Sequence, residues 1–253
     1  MEVEAIDVGD RRARFLVRDV SAAFANGLRR AMVGDVPSMA IDTVDVYENN
    51  SVMFDEVLSL RLGLVPLTTD LDSYVLPDEC SCEGEGCTNC EVALTLDVSA
   101  EDDERTAYSG DLESEDPAVE PVHDEVPLIE LKPGQVVALE CTARLGRGRD
   151  HAKNQAGVSV GYSHLKRVVE DGSYDERVLR GTVETADGDI VEMSEHDNLV
   201  DEAFDGDVGF EDVDDAFVFS VESDGSLPVE ELVARAAESL EDRASELGDK
   251  VAV

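Results

Sequence analysis

Apolar residues in this 253-residue chain repeat with a helical period near each end and with a strand period through much of the stretch between. That order limits the fold more than any other feature, because a helix has to bury one stripe and a strand one face. Ala13, Phe15 and Val17 alternate, after which Phe24, Leu28 and Met32 recur every four residues. Ser21 is a capping residue, and Gly34 with Pro37 stops the run, so the spacing predicts a helix over residues 22–33. At the other end, Val229, Leu232, Val233, Ala236, Leu240, Ala244, Leu247 and Val251 mix spacings of three and four. They follow an Asp224-Gly225 turn and a Pro228 suited to a first helical turn, and they predict one long terminal helix.

Between the helices, strands are predicted over residues 40–47, 92–98, 126–131 and 216–222, the last with Phe217, Phe219 and Val221 on one face. Apolar residues step by two from Val137 to Leu145, Cys141 among them as a small core residue. With 126–131 across the Pro133-Gly134 turn they read as a half-buried hairpin. Asp55 opens a short helix through Val57, Leu58, Leu60 and Leu62 that closes at Gly63 and Pro66 and runs into a buried loop. The acidic segment 100–124 reads as an exposed hairpin and loop. The whole pattern predicts an α+β fold.

Sixty Asp and Glu stand against twenty Lys and Arg, a net charge of −40, and only four of the basic residues are lysines. A compact state this charged repels itself unless concentrated salt screens it; the Debye length falls to about 3 Å at 1 M. The acids are spread along the chain between apolar positions rather than gathered in one tail, which favours a solvated halophilic surface over an acidic nucleic-acid mimic. Tight direct binding of duplex DNA by this chain is not expected, because phosphate contacts need clustered Lys and Arg. No run approaches the roughly 18 apolar residues of a membrane span. The N-terminus carries acids where a secretion signal has basic residues, so a cytoplasmic location is expected.

Cys80-x-Cys82 and Cys87-x-x-Cys90 are joined by the Gly-containing loop Glu83-Gly84-Glu85-Gly86. Four thiolates so closely spaced suit one structural, tetrahedral Zn²⁺ with no open position. An iron–sulfur cluster, a pair of disulfides and free thiols are the competing readings. The Gly- and Arg-rich segment Gly146–Lys153 lacks the spacing and hydroxyl of a phosphate loop and reads as a loop anchoring acidic or backbone groups of another protein. The four histidines are scattered and no nucleophile motif accompanies them. Asp187-Gly188-Asp189 does not continue as a calcium loop and reads as a hairpin turn.

Ala25-Asn26-Gly27-Leu28-Arg29-Arg30-Ala31, followed by Val36-Pro37-Ser38-Met39-Ala40-Ile41-Asp42, resembles the N-x-L-R-R…P…A-I/V signature of the alpha-type subunits of multisubunit RNA polymerases. Arg61-Leu62-Gly63-Leu64-Val65-Pro66-Leu67 is similar to the H-R-x-G-L-x-P-L block of the archaeal D-type and eukaryotic third-largest subunits, with Leu60 where the family usually has His. Gly146–Lys153 is similar to the family's G-x-G-x-x-H-A-K-W element, with Asn154 in place of Trp. Phe217–Leu227 resembles its terminal strand and turn. These blocks span nearly the whole chain, in order.

The resemblance implies a discontinuous alpha-type dimerisation domain, residues 1–43 with 206–253, in which the first strand and helix meet the last strand and helix. It implies an inserted β-rich domain at 44–162 carrying the cysteine loop. Residues 163–205 would be the remnant of a ferredoxin-like insertion; no cysteine follows Cys141, so no iron–sulfur cluster is expected. The implied role is non-catalytic: heterodimerisation with a small alpha-like subunit L, then assembly of the large catalytic subunits and small subunits N and P of a nucleotidyltransferase complex. Phe24, Leu28, Arg29, Arg30, Met32, Val233, Leu240 and Leu247 are the expected partner contacts, and Cys80, Cys82, Cys87 and Cys90 the structural zinc ligands. The competing reading is a stand-alone homodimeric zinc- or thiol-binding protein, to be separated by co-purification.

Overall fold

The computed structural model describes residues 1–170, 181–184, 188–193 and 208–251. Their elements begin β1 (Glu2–Val8), β2 (Arg12–Arg18), α1 (Ala22–Gly34), β3 (Pro37–Asn49) and α2 (Asp55–Gly63). They continue β4 (Glu91–Ser99), β5 (Arg105–Tyr108), β6 (Glu113–Ser114), β7 (Pro127–Leu131) and β8 (Val136–Arg147). Last come β9 (Gly157–Glu170), β10 (Gly181–Glu184), β11 (Ile190–Met193), β12 (Val208–Ser223) and α3 (Val229–Val251). The chain is α+β, and its internal contacts group Met1–Arg30 with Ser159–Glu222, and Ala31–Val158 with Ser223–Val253.

The first unit is built on a six-stranded sheet in the order β1-β2-β12-β9-β10-β11. β1 and β2 form an antiparallel hairpin closed by the Gly9 amide on the Arg12 carbonyl at 2.8 Å. β2 then pairs antiparallel with β12 from Arg18 opposite Ala216 to Arg12 opposite Glu222. The period-two pattern divides β2 between two faces: Ala13, Phe15 and Val17 on one, Leu16 on the other, all buried. Leu16 clusters with Leu165, Ala216 and Val218. Phe217 and Phe219 are fully buried, and Tyr162 meets the Phe217 ring edge-on at 5.7 Å. β10 and β11 pair antiparallel from Glu184 opposite Ile190, and Gly188 has φ +86°; Asp187, the first residue of the expected turn, lies outside the described residues. Much of 163–205 also lies outside them.

In the second unit β3-β8-β4-β6 form a four-stranded sheet and β5-β7 a two-stranded one. β8 behaves as its alternation demands, with Val137, Leu139, Cys141, Ala143 and Leu145 buried. They share one core with Leu58 and Leu62 of α2 and with Leu94, Leu96 and Val98 of β4. Two expectations fail here. β7 pairs with β5, while β8 pairs with β3 and β4, so 126–145 is a turn between two sheets and not a hairpin. Segment 100–124 is no mere exposed loop, since Ala100, Ala107, Leu112 and Val119 enter the same core. Its tail is strapped down by Val122 N–H on the Pro66 carbonyl at 2.9 Å and Thr68 N–H on the Glu120 carbonyl at 2.8 Å.

α3 starts after a turn in which Gly225 has φ +96° and the Ser226 amide and hydroxyl both donate to Asp224 Oδ1. Val229, Leu232 and Ala236 bury its first two turns, and every residue of 241–250 is exposed. Arg235 reaches Asp72 at 2.7 Å and Arg243 reaches Asp35 at 2.7 Å, tying the helix to its unit by ion pairs.

Candidate metal centre and partner surfaces

The cysteine loop lies between the 3₁₀ turn Pro77–Glu79 and the first residue of β4, Glu91. Successive tight turns bend it back on itself: Cys80 N–H to the Pro77 carbonyl, Glu83 to Cys80, Glu85 to Cys82, and both Cys90 and Glu91 to Cys87. Glu83 and Gly84 adopt left-handed φ of 55° and 81°, and Gly86 follows at 96°. The result brings the Sγ atoms of Cys80, Cys82, Cys87 and Cys90 within 4.8 Å of one another. Cys80 to Cys87 and Cys82 to Cys90 are each 3.5 Å, and Cys87 to Cys90 is 3.8 Å. Ligands at about 2.3 Å in a tetrahedron stand about 3.8 Å apart, so the arrangement fits a metal ion of that size. A disulfide needs about 2.05 Å, and all five cysteines are free thiols.

Electrostatics differ sharply within the set. Cys82 is held down to about 6 by hydrogen bonding from Cys80, aided by Cys90 and by the backbone amides of Gly86 and Gly84. Burial pushes Cys90 up to about 12. Cys141, up to about 12 by burial, sits in the core away from this cluster and is not one of the four.

Two arginines of β8 approach the loop. Arg144 donates from Nη2 and Nε to Glu91 Oε2 at 2.6 and 2.9 Å, and Arg147 pairs with Glu79 at 2.8 Å. Neither was legible as a site residue, because only the β4–β8 register places Arg144 opposite Glu91.

The expected contact residues have different surroundings. On α1, Leu28 and Met32 are buried within this chain at 7% and 1% exposure, whereas Phe24 is 39% exposed and Arg30 lies open. Arg29 is half-buried and its Nε donates to Asn26 Oδ1 at 3.3 Å. On α3, Val233 and Leu240 are half-buried, and Leu247 is 62% exposed with Val251 beyond it. Phe24 to Arg30 belong to the first unit, and Met32 with the α3 residues to the second.

α2 carries a second apolar surface that its reading as a short helix did not single out. Leu58 and Leu62 face the core, but Val57, Leu60 and Leu64 form a ridge on the opposite side, with Phe54 exposed one turn before it. Leu60 and Leu64 wall a groove of about 280 Å³ with Ile41, Val44 and Lys153. Spacing gave the signal: 57, 60 and 64 share one side of a helix whose other side is 58 and 62.

The Gly- and Arg-rich loop after β8, expected to anchor another protein, also makes contacts within this chain. Lys153 Nζ donates to the Ile41 carbonyl and Asp42, both at 3.0 Å, and Arg149 pairs with Asp35 at 3.5 Å. A Cβ on Gly148 would lie 2.2 Å from the Val33 carbonyl oxygen, so glycine there lets the loop lie against the end of α1. Asn154 donates to the Ser38 carbonyl at 2.7 Å, and His151 Nδ1 accepts from the Lys153 amide at 3.1 Å.

Residues 14–244 match the family described as the RNA polymerase Rpb3/Rpb11 dimerisation domain. The chain is 52% identical to the DNA-directed RNA polymerase subunit Rpo3 of Natronomonas pharaonis, with 100% of this chain and 98% of that protein covered. It is 51% identical to the Rpo3 subunit of Halobacterium salinarum strain R1, over 99% and 97% of the two chains. The Rpo3 subunit of Methanosarcina acetivorans is 41% identical, over 98% and 97%.

Proposed function

The chain belongs to the RNA polymerase Rpb3/Rpb11 dimerisation family and to its archaeal Rpo3 branch, and from that premise we propose how it takes its place in the enzyme. It is a subunit of DNA-directed RNA polymerase with an assembly role. The outer half of α3 is the principal seat for the small alpha-like subunit L, joined by Phe24 of α1. The heterodimer then receives the large catalytic subunits, with Arg29 and Arg30 of α1 among their contacts, and the small subunits N and P.

One observation carries this reading: the apolar stripe of α3 continues past Ala236 through the half-buried Leu240 to Leu247 and Val251, which are exposed among the described residues. A helix that keeps its stripe beyond its own core is built to be covered by another chain. The ridge of Val57, Leu60 and Leu64 is a second bare surface, as a platform with several neighbours requires. We propose residues 1–43 and 206–253 as the dimerisation domain; the pairing of β2 with β12, near opposite ends of the chain, supports it. Residues 44–162 form the insertion and 163–205 a remnant without a cluster.

The four-cysteine loop is proposed to hold Zn²⁺, which when bound supplies a structural cross-link with no open coordination position. Nucleotidyl transfer and its Mg²⁺-binding carboxylates are assigned to the large subunits, and this chain to positioning them in the cytoplasm. No helix among the described residues is long and apolar enough to cross a membrane. Affinity purification of the tagged full chain from cell extract tests the reading. It should bring down L and the large subunits in stoichiometric amounts; recovery as a homodimer alone would favour the stand-alone thiol-protein alternative, which the full-length family match already disfavours.

A further inference from the structure

Glu91 is the residue where the cysteine loop becomes strand β4, and it faces Arg144 across the β4–β8 ladder. Its carboxylate meets two neighbours at once. Oε2 takes both donors of Arg144, at 2.6 and 2.9 Å. The same carboxylate lies over Gly86 so closely that a Cβ there would stand 2.2 Å from Oε1 and 2.8 Å from Oε2. Gly86 immediately precedes Cys87, and its amide is one of those directed at Cys82. The carboxylate therefore sits between Arg144 of β8 and Gly86, in the loop between the two cysteine pairs. Glu91 and Arg144 are both largely shielded, with side chains 27% and 29% exposed.

We propose that Arg144 and Glu91 are a positioning pair for the metal: Arg144 holds the Glu91 carboxylate against Gly86, and this latch keeps the four thiols in ligating geometry. The inference rests on the reading of the loop as a metal site. Groups that touch the ligands without binding the metal fix ligand orientation, and their loss costs about 10–100-fold in metal affinity. The chemistry makes the role separable from simple charge. Four thiols must give up protons to bind a dication, and a neighbouring carboxylate opposes that. Removing the Glu91 charge would by electrostatics alone tighten binding, whereas opening a latch weakens it.

Zinc dissociation constants of the full chain in molar KCl, measured by competition with a chromophoric chelator, test the pair. Glu91→Gln, close in size and shape to the native side chain, and Arg144→Gln should each weaken Zn²⁺ binding about 10-fold or more. The double variant should be no worse than the weaker single one, because both remove the same contact. Arg144→Lys, which keeps the charge and loses the fork, should recover part of the affinity. Co²⁺ spectra should keep the wild-type thiolate charge-transfer bands, showing that the ligand set is unchanged. Glu91→Gln that binds Zn²⁺ as tightly as wild type or tighter, or single effects that add in the double, would overturn the latch and leave the metal site standing. A wild-type chain that loses Zn²⁺ to the weakest competitor would overturn both.

Discussion

Phe15 of β2 and Phe219 of β12 lie directly opposite each other in the ladder, and their rings stack 5.1 Å apart with planes 5° from parallel. A non-local contact of this kind closes most of the chain into a loop, so its cost in chain entropy is met only if the contact is strong. Tyr162 packs against Phe219 at 5.6 Å and Phe217 at 5.7 Å, and the His164 ring lies 4.5 Å from Phe217, so five rings form one cluster.

Truncating either member of the stacked pair should therefore be costly. Phe219→Ala, at a fully buried position, is expected to lose about 3–5 kcal/mol, and Phe15→Ala a comparable amount. The double variant should show a coupling of about 0.5–1.5 kcal/mol, the share that belongs to ring on ring. Denaturant unfolding in molar KCl gives all three values. Strictly additive losses would mean that the rings fill space without interacting.

Stability should climb with salt. At a net charge of −40 the folded state confines repulsions that the unfolded chain relaxes, and screening relieves them. Thermal midpoints from dilute buffer to molar KCl are expected to rise throughout, most steeply at the low end. A midpoint unmoved by salt would show that the surface acids are already neutralised by local pairing.

The outer half of α3 can be changed without touching this chain's own core, because residues 241–250 are all exposed. Leu247→Asp and Val251→Asp should each cost about 2 kcal/mol or more in heterodimer affinity, as for an apolar anchor at the centre of an interface. The stability of the isolated chain should shift by no more than about 0.5 kcal/mol. Titration with purified subunit L alongside a thermal melt separates the two effects, and an unchanged dissociation constant would place the heterodimer contact elsewhere.

What the sequence disclosed follows from periodicity, and what it hid follows from partners distant in sequence. Val137 to Leu145 announce their strand because each second residue is buried, and the cysteine spacing announces the loop because four cysteines fall within eleven residues. Segment 100–124 hid its core contribution because Ala100, Ala107, Leu112 and Val119 follow neither a period of two nor of 3.6. β1 was missed because its side chains are almost all exposed, leaving no buried face to set a pattern. On α2, spacing separates two apolar sides of the helix but does not say which of them meets the core. Glu91 and Arg144, 53 positions apart, meet only through a register that no local pattern encodes.

Tyr74 offers a test by pH. Its hydroxyl donates to Asp116 at 2.5 Å, across 42 residues, and ties the approach to the cysteine loop to the strapped segment. The hydrogen bond from Tyr74 and the Ala118 amide hold the Asp116 carboxyl below its ordinary value of 3.8. Burial and the same bond push the Tyr74 phenol above its ordinary 10.0. Asp116 is depressed on folding, so its contribution is complete above about 3.8 and disappears as pH falls through the lowered folded value. Tyr74 is raised, so its contribution is complete below about 10.0 and disappears as pH climbs toward the raised one. The stability gap between wild type and Tyr74→Phe should accordingly form a plateau through neutrality and narrow on both the acid and the alkaline side. Difference measurements in molar KCl cancel the effect of the many other carboxylates, which titrate alike in the two proteins. A gap that stays constant into strong acid would mean that the tyrosine stabilises by packing its ring and not through Asp116.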